Sequence, residues 1–228
     1  MERIIAGLEP HLTPRRIARM QNVLATRSDH VAFVFERMVD PHNLSAVLRS
    51  LDAFSFQDIH LVAPTERVAL ARGITIGADR WLTLHDHDTP AACAEALRQA
   101  GYRILAGHVA PERGNSLAGL DFGRRTALVF GSEHTGVGAE WLGLAEGTFH
   151  IPMLGFVESL NLSVAAALCA FHARREIQRL APTDPEPERF LLPPERRREI
   201  YAHWLRRSVK RADQILAAEN PDRDAERG

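Results

Sequence analysis

The residues best suited to chemistry fall in three short stretches. Asn43 and Arg49 lie in "DPHNLSAVLRSLDAF" (40–54), Gly131, Glu133, Gly136 and Gly138 in "FGSEHTGVG" (130–138), and Ser159, Asn161 and Ser163 in "GFVESLNLSV" (155–164). The third stretch is the hardest to explain by folding alone. It separates a strand-like run, "GTFHIPML", from a helix-like run, "VAAALCAFHARR". One capping side chain serves the start of a core helix; two serines and an asparagine exceed that need. The surplus becomes intelligible if strand ends near 107, 131 and 151–154 surround a small molecule whose polar atoms meet backbone groups and these side chains.

The other two stretches have bland readings of their own. "FGSEHTGVG" follows a strand and precedes a helix, as phosphate-binding turns do, but it is neither GxGxxG nor a P-loop. Its glycines imply tight turns or a backbone that closely approaches a ligand. In the first stretch Asp-Pro ends a strand, and Asn43 is the expected N-cap of a helix over 43–54. That helix turns Ala46, Val47, Leu51 and Phe54 toward the core and Arg49 toward another face. An N-cap and a surface arginine suffice to explain this pattern taken alone.

A metal site has less support. In "HDHD" (85–88) His85 and His87 alternate at a strand end and point the same way. No third ligand is specified by the sequence, so the stretch reads as a polar loop and no metal is expected. Cys93 and Cys169, the two cysteines, sit in alanine-rich helical patterns and read as reduced core residues.

The elements that must position these residues alternate regularly. Apolar runs rich in β-branched and aromatic residues predict strands over 30–37, 58–64, 81–85, 103–109, 125–131 and 147–153. Helical patterns between them cover 43–54, 66–73, 89–100, 138–144 and 160–180. Strand–helix alternation predicts an α/β fold, a mainly parallel sheet flanked by helices, which binds ligands beyond the carboxyl ends of its strands. Residues 13–26 predict a helix opened by Thr13-Pro14. After Ala181 a Pro-rich connector leads to one long amphipathic helix, "PERRREIYAHWLRRSVKRADQILAAE", and the last nine residues read as disordered. The domains expected are thus a basic helical extension over 1–28, a central domain over 29–181, and a connector, basic helix and tail over 182–228.

With 228 residues, 45% of them hydrophobic, the chain can bury a full core. It lacks a membrane-length apolar run, and Met1 to Pro10 does not read as a signal peptide, so a cytoplasmic protein is expected. Net charge is −1, which argues against a uniformly basic surface. The charge is nevertheless segregated. Residues 1–28 carry five Arg against two Glu, 29–172 carry ten basic against sixteen acidic residues, and 173–211 carry eleven basic against six acidic. Basic flanks around an acidic middle suit a grip on a polyanion; solvated helix faces account for them equally well.

Taken together, "HNLSAVLR", "LVFGSEHTGV" and "IPMLGFVESLNLSVAAAL" resemble, in order and spacing, the three motifs of the TrmH family of 2′-O-ribose methyltransferases within the SPOUT class of RNA methyltransferases. The resemblance spans roughly residues 16 to 180. The basic helix at each end is further similar to the members that methylate guanosine 18 in the D-loop of tRNA. The resemblance implies a C-terminal trefoil knot, a homodimer, and S-adenosylmethionine held by Gly107, Gly131, Ile151, Met153 and Leu160. It implies a catalytic role for Arg49, as base or as stabiliser of a phosphate and alkoxide, helped by Asn43, Glu133, Ser159 and Asn161. Methylation of a ribosomal RNA ribose and a silent RNA-binding protein of the same fold are the alternatives. Two departures from the family pattern fall at Ala170 to His172 and at Ser55, which stands where relatives carry a glycine.

Overall fold

The computed structural model describes residues 1–64, 80–108, 114–132 and 135–218. The helix expected over 66–73, Glu133 and the tail from residue 220 lie outside these. Contacts divide the chain into two compact units, Ser28–Phe190 and a second made of Met1–Arg27 with Leu191–Gly228.

The larger unit is built on seven strands: β1 (Val31–Glu36), β2 (Asp58–Val62), β3 (Thr83–His87), β4 (Arg103–Gly107), β5 (Asn115–Ser116), β6 (Thr126–Phe130) and β7 (Gly147–His150). They form one sheet in the order β3-β2-β1-β6-β4-β7-β5, with every pairing parallel. All residues of β1, β2 and β6 are buried. A parallel sheet covered on both faces requires this, because residues of either parity then meet a helix. Phe33, Phe35, Leu61 and Leu128 project into the core beneath α3 (Pro41–Ala53) and the helix Leu162–Leu180. Ala32, Val34, Ile104 and Val129 pack on the other face with residues of the helices Pro90–Gln99 and Ala139–Leu144, where Trp141 is fully buried. We number these helices α4 (Pro90–Gln99), α5 (Ala139–Leu144) and α6 (Leu162–Leu180). Cys93 and Cys169 are free and buried on opposite sides of the sheet, and burial pushes the Cys93 thiol up to about 12 and that of Cys169 higher still.

Several elements differ from their sequence-based expectation. α3 begins at Pro41, capped by Asp40, whose side chain accepts from the His42 N–H at 2.9 Å. Proline pre-sets the first helical residue, so the preceding aspartate takes the cap and Asn43 falls inside the first turn. Ala46 is consequently exposed, and Leu44 and Leu48 join Val47 and Leu51 in the core. The edge strand β3 runs over 83–87, two residues later than the apolar run suggests, its register set by pairing of His60 with His85. The Pro-rich segment after Ala181 forms two 3-10 turns, and Phe190 is buried against His30 at 4.6 Å between ring centroids.

In the smaller unit both chain ends meet. α1 (Glu2–Leu8) and α2 (Pro14–Thr26) pack with α7 (Pro194–Ser208) and α8 (Ala212–Ala218). Leu8, Met20, Leu24, Trp204 and Leu205 are buried, and the Arg27 guanidinium lies over Trp204 at 5.6 Å. Tyr201 donates to Glu9 at 2.8 Å. The long C-terminal helix expected from periodicity is broken, because Val209 is extended and Arg211 has φ 58, a turn that buries Val209 and Ala212. Among the described residues no helix is long and apolar enough to cross a membrane.

At Ser55 the chain leaves α3 through a left-handed turn. The Phe56 N–H donates to Leu51 O and the Ser55 N–H to Asp52 O, both at 3.0 Å, which is the Schellman ending of a helix. Ser55 occupies the left-handed position of that motif with φ 63, where glycine is unstrained. Ser55→Gly is expected to raise stability by about 0.5–1 kcal/mol. Urea unfolding checks this; an unchanged or lower midpoint at constant slope rejects it.

Candidate active site

A pocket opens where β4, β6 and β7 end. Its walls are Gly107 and His108 after β4, Phe130 at the end of β6, Phe149 to Ile151 at the end of β7, and Met153 with Glu158 to Leu160 in the loop that follows. Parallel strands direct all their carboxyl ends to one edge of the sheet, so three connections that are distant in sequence converge there. The walls combine rings and aliphatic side chains with strand-end backbone groups and the Glu158 carboxylate. Apolar surface beside a few polar groups is the composition of a small-molecule site.

Of the residues marked in the sequence, Gly107, Ile151, Met153, Leu160 and Ser159 line the pocket. Gly131 does not, and its lack of a side chain has a nearer cause. A Cβ on Gly131 would lie 1.9 Å from Gly136 C and 2.1 Å from Val137 N, because the chain doubles back on itself. Ser132 and Gly136 exchange backbone hydrogen bonds at 3.0 and 3.1 Å, closing that turn, and Gly136 has φ +66. Beyond the turn, the Gly138 N–H donates to the buried Glu36 carboxylate at 2.9 Å. Glu36, at the end of β1, is thus the residue that secures the second motif from outside it. Nothing in its sequence context marks it beyond a charge closing an apolar run.

Asn161 is the N-cap of α6. Its Oδ1 accepts from the Ser163 N–H at 2.8 Å and from Ser163 Oγ at 2.6 Å, and its Nδ2 donates to Asn43 Oδ1 at 3.1 Å. The cap leaves one orientation for the amide, since the oxygen must face the Ser163 N–H. Both ends of Asn161 are therefore engaged in holding the loop and in joining it to the first turn of α3. Ser163 donates to the residue that caps. Ser159 is exposed on the pocket wall.

Arg49 stands on α3, which packs against α6, but it is exposed and does not line the pocket. Among the described residues it forms no hydrogen bond or ion pair. Glu133 lies outside the described residues. Sequence reasoning passed over His108, His150 and Glu158 on the pocket wall. The histidines follow apolar strands as ordinary polar ends do, so residue type alone carried no signal.

The SpoU rRNA Methylase family matches residues 30–171, which contain the whole sheet and all three loops. The chain belongs to this family. Along its length the SpoU chain is 35% identical to a tRNA (guanosine(18)-2'-O)-methyltransferase of Thermus thermophilus, over 86% of this chain and 98% of that protein. A crystal structure of the A. aeolicus TrmH/SpoU tRNA modifying enzyme superposes with a TM-score of 0.74 at 27% identity, covering 86% of this chain and 97% of that one. An AdoMet-bound rRNA methyltransferase from Sinorhizobium meliloti superposes with a TM-score of 0.57 at 26% identity, over 66% of this chain and 57% of that one.

In this SpoU fold the tight turn at Gly131 is a steric requirement. Gly131→Ala is expected to displace the turn and lower stability by about 1–3 kcal/mol. Equal unfolding midpoints for variant and parent would show that the turn yields without cost.

Proposed function

We propose that the chain transfers a methyl group from S-adenosylmethionine to the ribose 2′-hydroxyl of a guanosine in tRNA, guanosine 18 of the D-loop. The observation that carries this reading is the convergence on one pocket of the connections after β4, β6 and β7, the last two bearing the second and third motifs, in a chain that aligns over nearly the full length of a guanosine-18 methyltransferase. Acting on tRNA, the protein works in the cytoplasm.

The pocket fits the cofactor by its chemistry. Phe130, Phe149, Ile151 and Leu160 offer apolar walls to a nucleoside base, strand-end backbone groups offer donors and acceptors to its edge, and Glu158 offers a negative charge to a sulfonium. When bound, S-adenosylmethionine supplies an electrophilic methyl group. Gly107, Ile151, Met153 and Leu160 would hold it, with Gly131 shaping the adjoining turn.

A ribose hydroxyl is a poor nucleophile at neutral pH, so its attack needs alignment and a favourable field. Arginine stays charged in proteins and presents a planar fork to phosphate. Arg49 orients the substrate phosphate and stabilises the oxyanion that develops as the hydroxyl proton passes to solvent. Ser159 contacts the ribose, while Asn161 and Asn43 hold the loops, with Glu133 assisting. The exposed position of Arg49, away from its own pocket, suits a site completed by two subunits. Val164, Leu168 and Phe171 form an exposed apolar stripe on α6, beside Leu154, Phe156 and Val157 in the third-motif loop. A second copy of the chain is the occupant proposed for this face, continuous with the loop that bounds the pocket.

The smaller unit is the proposed tRNA grip. Residues 1–27 and 191–218 carry twelve Lys and Arg against five Asp and Glu, and Arg15, Arg19 and Lys210 are exposed. Two ends that are basic separately thus build one electropositive body.

Transfer of labelled methyl to unmodified tRNA is expected to yield 2′-O-methylguanosine in the D-loop; label appearing in ribosomal RNA alone rejects the tRNA assignment. Arg49→Ala is expected to abolish turnover with cofactor affinity kept within a few-fold, and retained turnover removes Arg49 from the chemistry. Replacing Arg15, Arg19 and Lys210 with Ala is expected to weaken tRNA binding and to reduce its salt slope by about 0.7–0.9 for each phosphate no longer neutralised. An unchanged slope would mark these residues as a solvated face. Leu168→Asp is expected to convert a dimer to a monomer in light scattering, whereas a dimer unaffected by it places the interface elsewhere.

A further inference from the structure

At the edge of the sheet away from the pocket, the strands bring together side chains that the methyl-transfer reading does not use. His60 on β2 and His87 on β3 project toward α4, which carries Cys93. His60 Nδ1 and His87 Nε2 lie 2.9 Å apart, and one ring nitrogen from each histidine together with Cys93 Sγ falls within 4.8 Å of the others. His60 stacks on His87 and on His85, with ring centroids 5.2 and 4.5 Å apart. His85 Nε2 contacts the buried Asp58 carboxylate at 2.7 Å.

We propose that His60, His87 and Cys93 form a binding site for a divalent transition metal, zinc above all, that ties the edge strand β3 to β2 and to helix α4. Two imidazoles and a thiol form a mixed N/S donor set that selects zinc over the hard, oxygen-seeking magnesium and calcium. Tetrahedral zinc places its ligand atoms about 3.3–3.7 Å apart. The two nitrogens therefore separate by a few tenths of an ångström, and the sulfur closes in from no more than 4.8 Å. Three protein ligands leave one position for water.

Binding forms two metal–nitrogen bonds and one metal–sulfur bond. The Cys93 S–H bond breaks and its proton passes to solvent. The imidazole that now donates within the His60–His87 hydrogen bond carries its proton on its other nitrogen instead, so both facing lone pairs are free for the ion. No electron changes hands. Asp58 contributes a buried negative charge next to the cluster, which lowers the cost of placing a cation there. The site lies on β2 and β3, whereas the pocket lies on β4, β6 and β7. Its role is thus to fasten one edge of the sheet, separate from methyl transfer.

The test uses the full chain, stripped with a chelator and titrated with Co²⁺. One equivalent is expected to produce the visible bands of a tetrahedral ion with a thiolate-to-cobalt charge-transfer band, and Zn²⁺ should then displace it. Cys93→Ala is expected to lose the charge-transfer band, and His87→Ala to weaken Co²⁺ binding at least ten-fold. Cys169→Ala should retain both features. Circular dichroism establishes that each variant is folded; if Cys93→Ala is not, His87→Ala decides. A folded parent chain without a charge-transfer band, or the same band in Cys93→Ala, overturns the proposal.

Discussion

Burial of the sheet on both faces is the constraint from which the rest of the structure follows. Every position along β1, β2 and β6 is occupied by a side chain shut away from water. The polar groups that line the pocket therefore stand at the strand ends or in the connections between them. Since all seven strands run the same way, those ends gather at one edge, and the pocket forms there. The aromatic chain Phe35, Phe130 and Phe149, with centroids 5.3 and 5.9 Å apart, carries the core up to the pocket wall.

Holding the loops in place takes specific polar contacts, because loops gain little from core burial. Three are decisive. Glu36 receives the N–H of Gly138, Gly131 lets the second motif fold back against Gly136, and Asn161 fastens the third motif to Asn43 in the first. Each contact joins residues from different connections or different arms of one turn. A buried carboxylate accepting a backbone N–H is among the stronger of such bonds. The polar excess in the third stretch is thereby divided between loop support by Asn161 and Ser163 and exposure to the pocket by Ser159.

The same logic applies to the two ends of the chain. Neither α1 and α2 nor α7 and α8 can bury their apolar stripes alone, since short amphipathic helices need a partner. They satisfy one another, sealing Leu8, Leu24, Trp204 and Leu205. The charges left outside are mostly arginines, and this follows from the stripes being inside. Segregated charge in the linear sequence thus becomes one basic unit in space.

The sequence by itself determined the architecture, because strand–helix alternation and doubly apolar strands admit few arrangements other than a parallel sheet with helices on both faces. It also marked which loops carry the polar residues out of place in a core. Local signals misplaced elements where competing caps or pairings intervened, as at Asp40 over Asn43 and in the register of β3. What tertiary structure alone decided was every relationship that crosses the chain. Residue type cannot disclose that Gly131 is small for the sake of Gly136, that Glu36 serves a loop a hundred residues away, or that Asn161 turns its amide to Asn43. Nor could "HDHD" show that its His87 meets His60 of the neighbouring strand and Cys93 of a neighbouring helix. Periodicity reports the face a residue occupies; only the packed sheet determines which residue it meets.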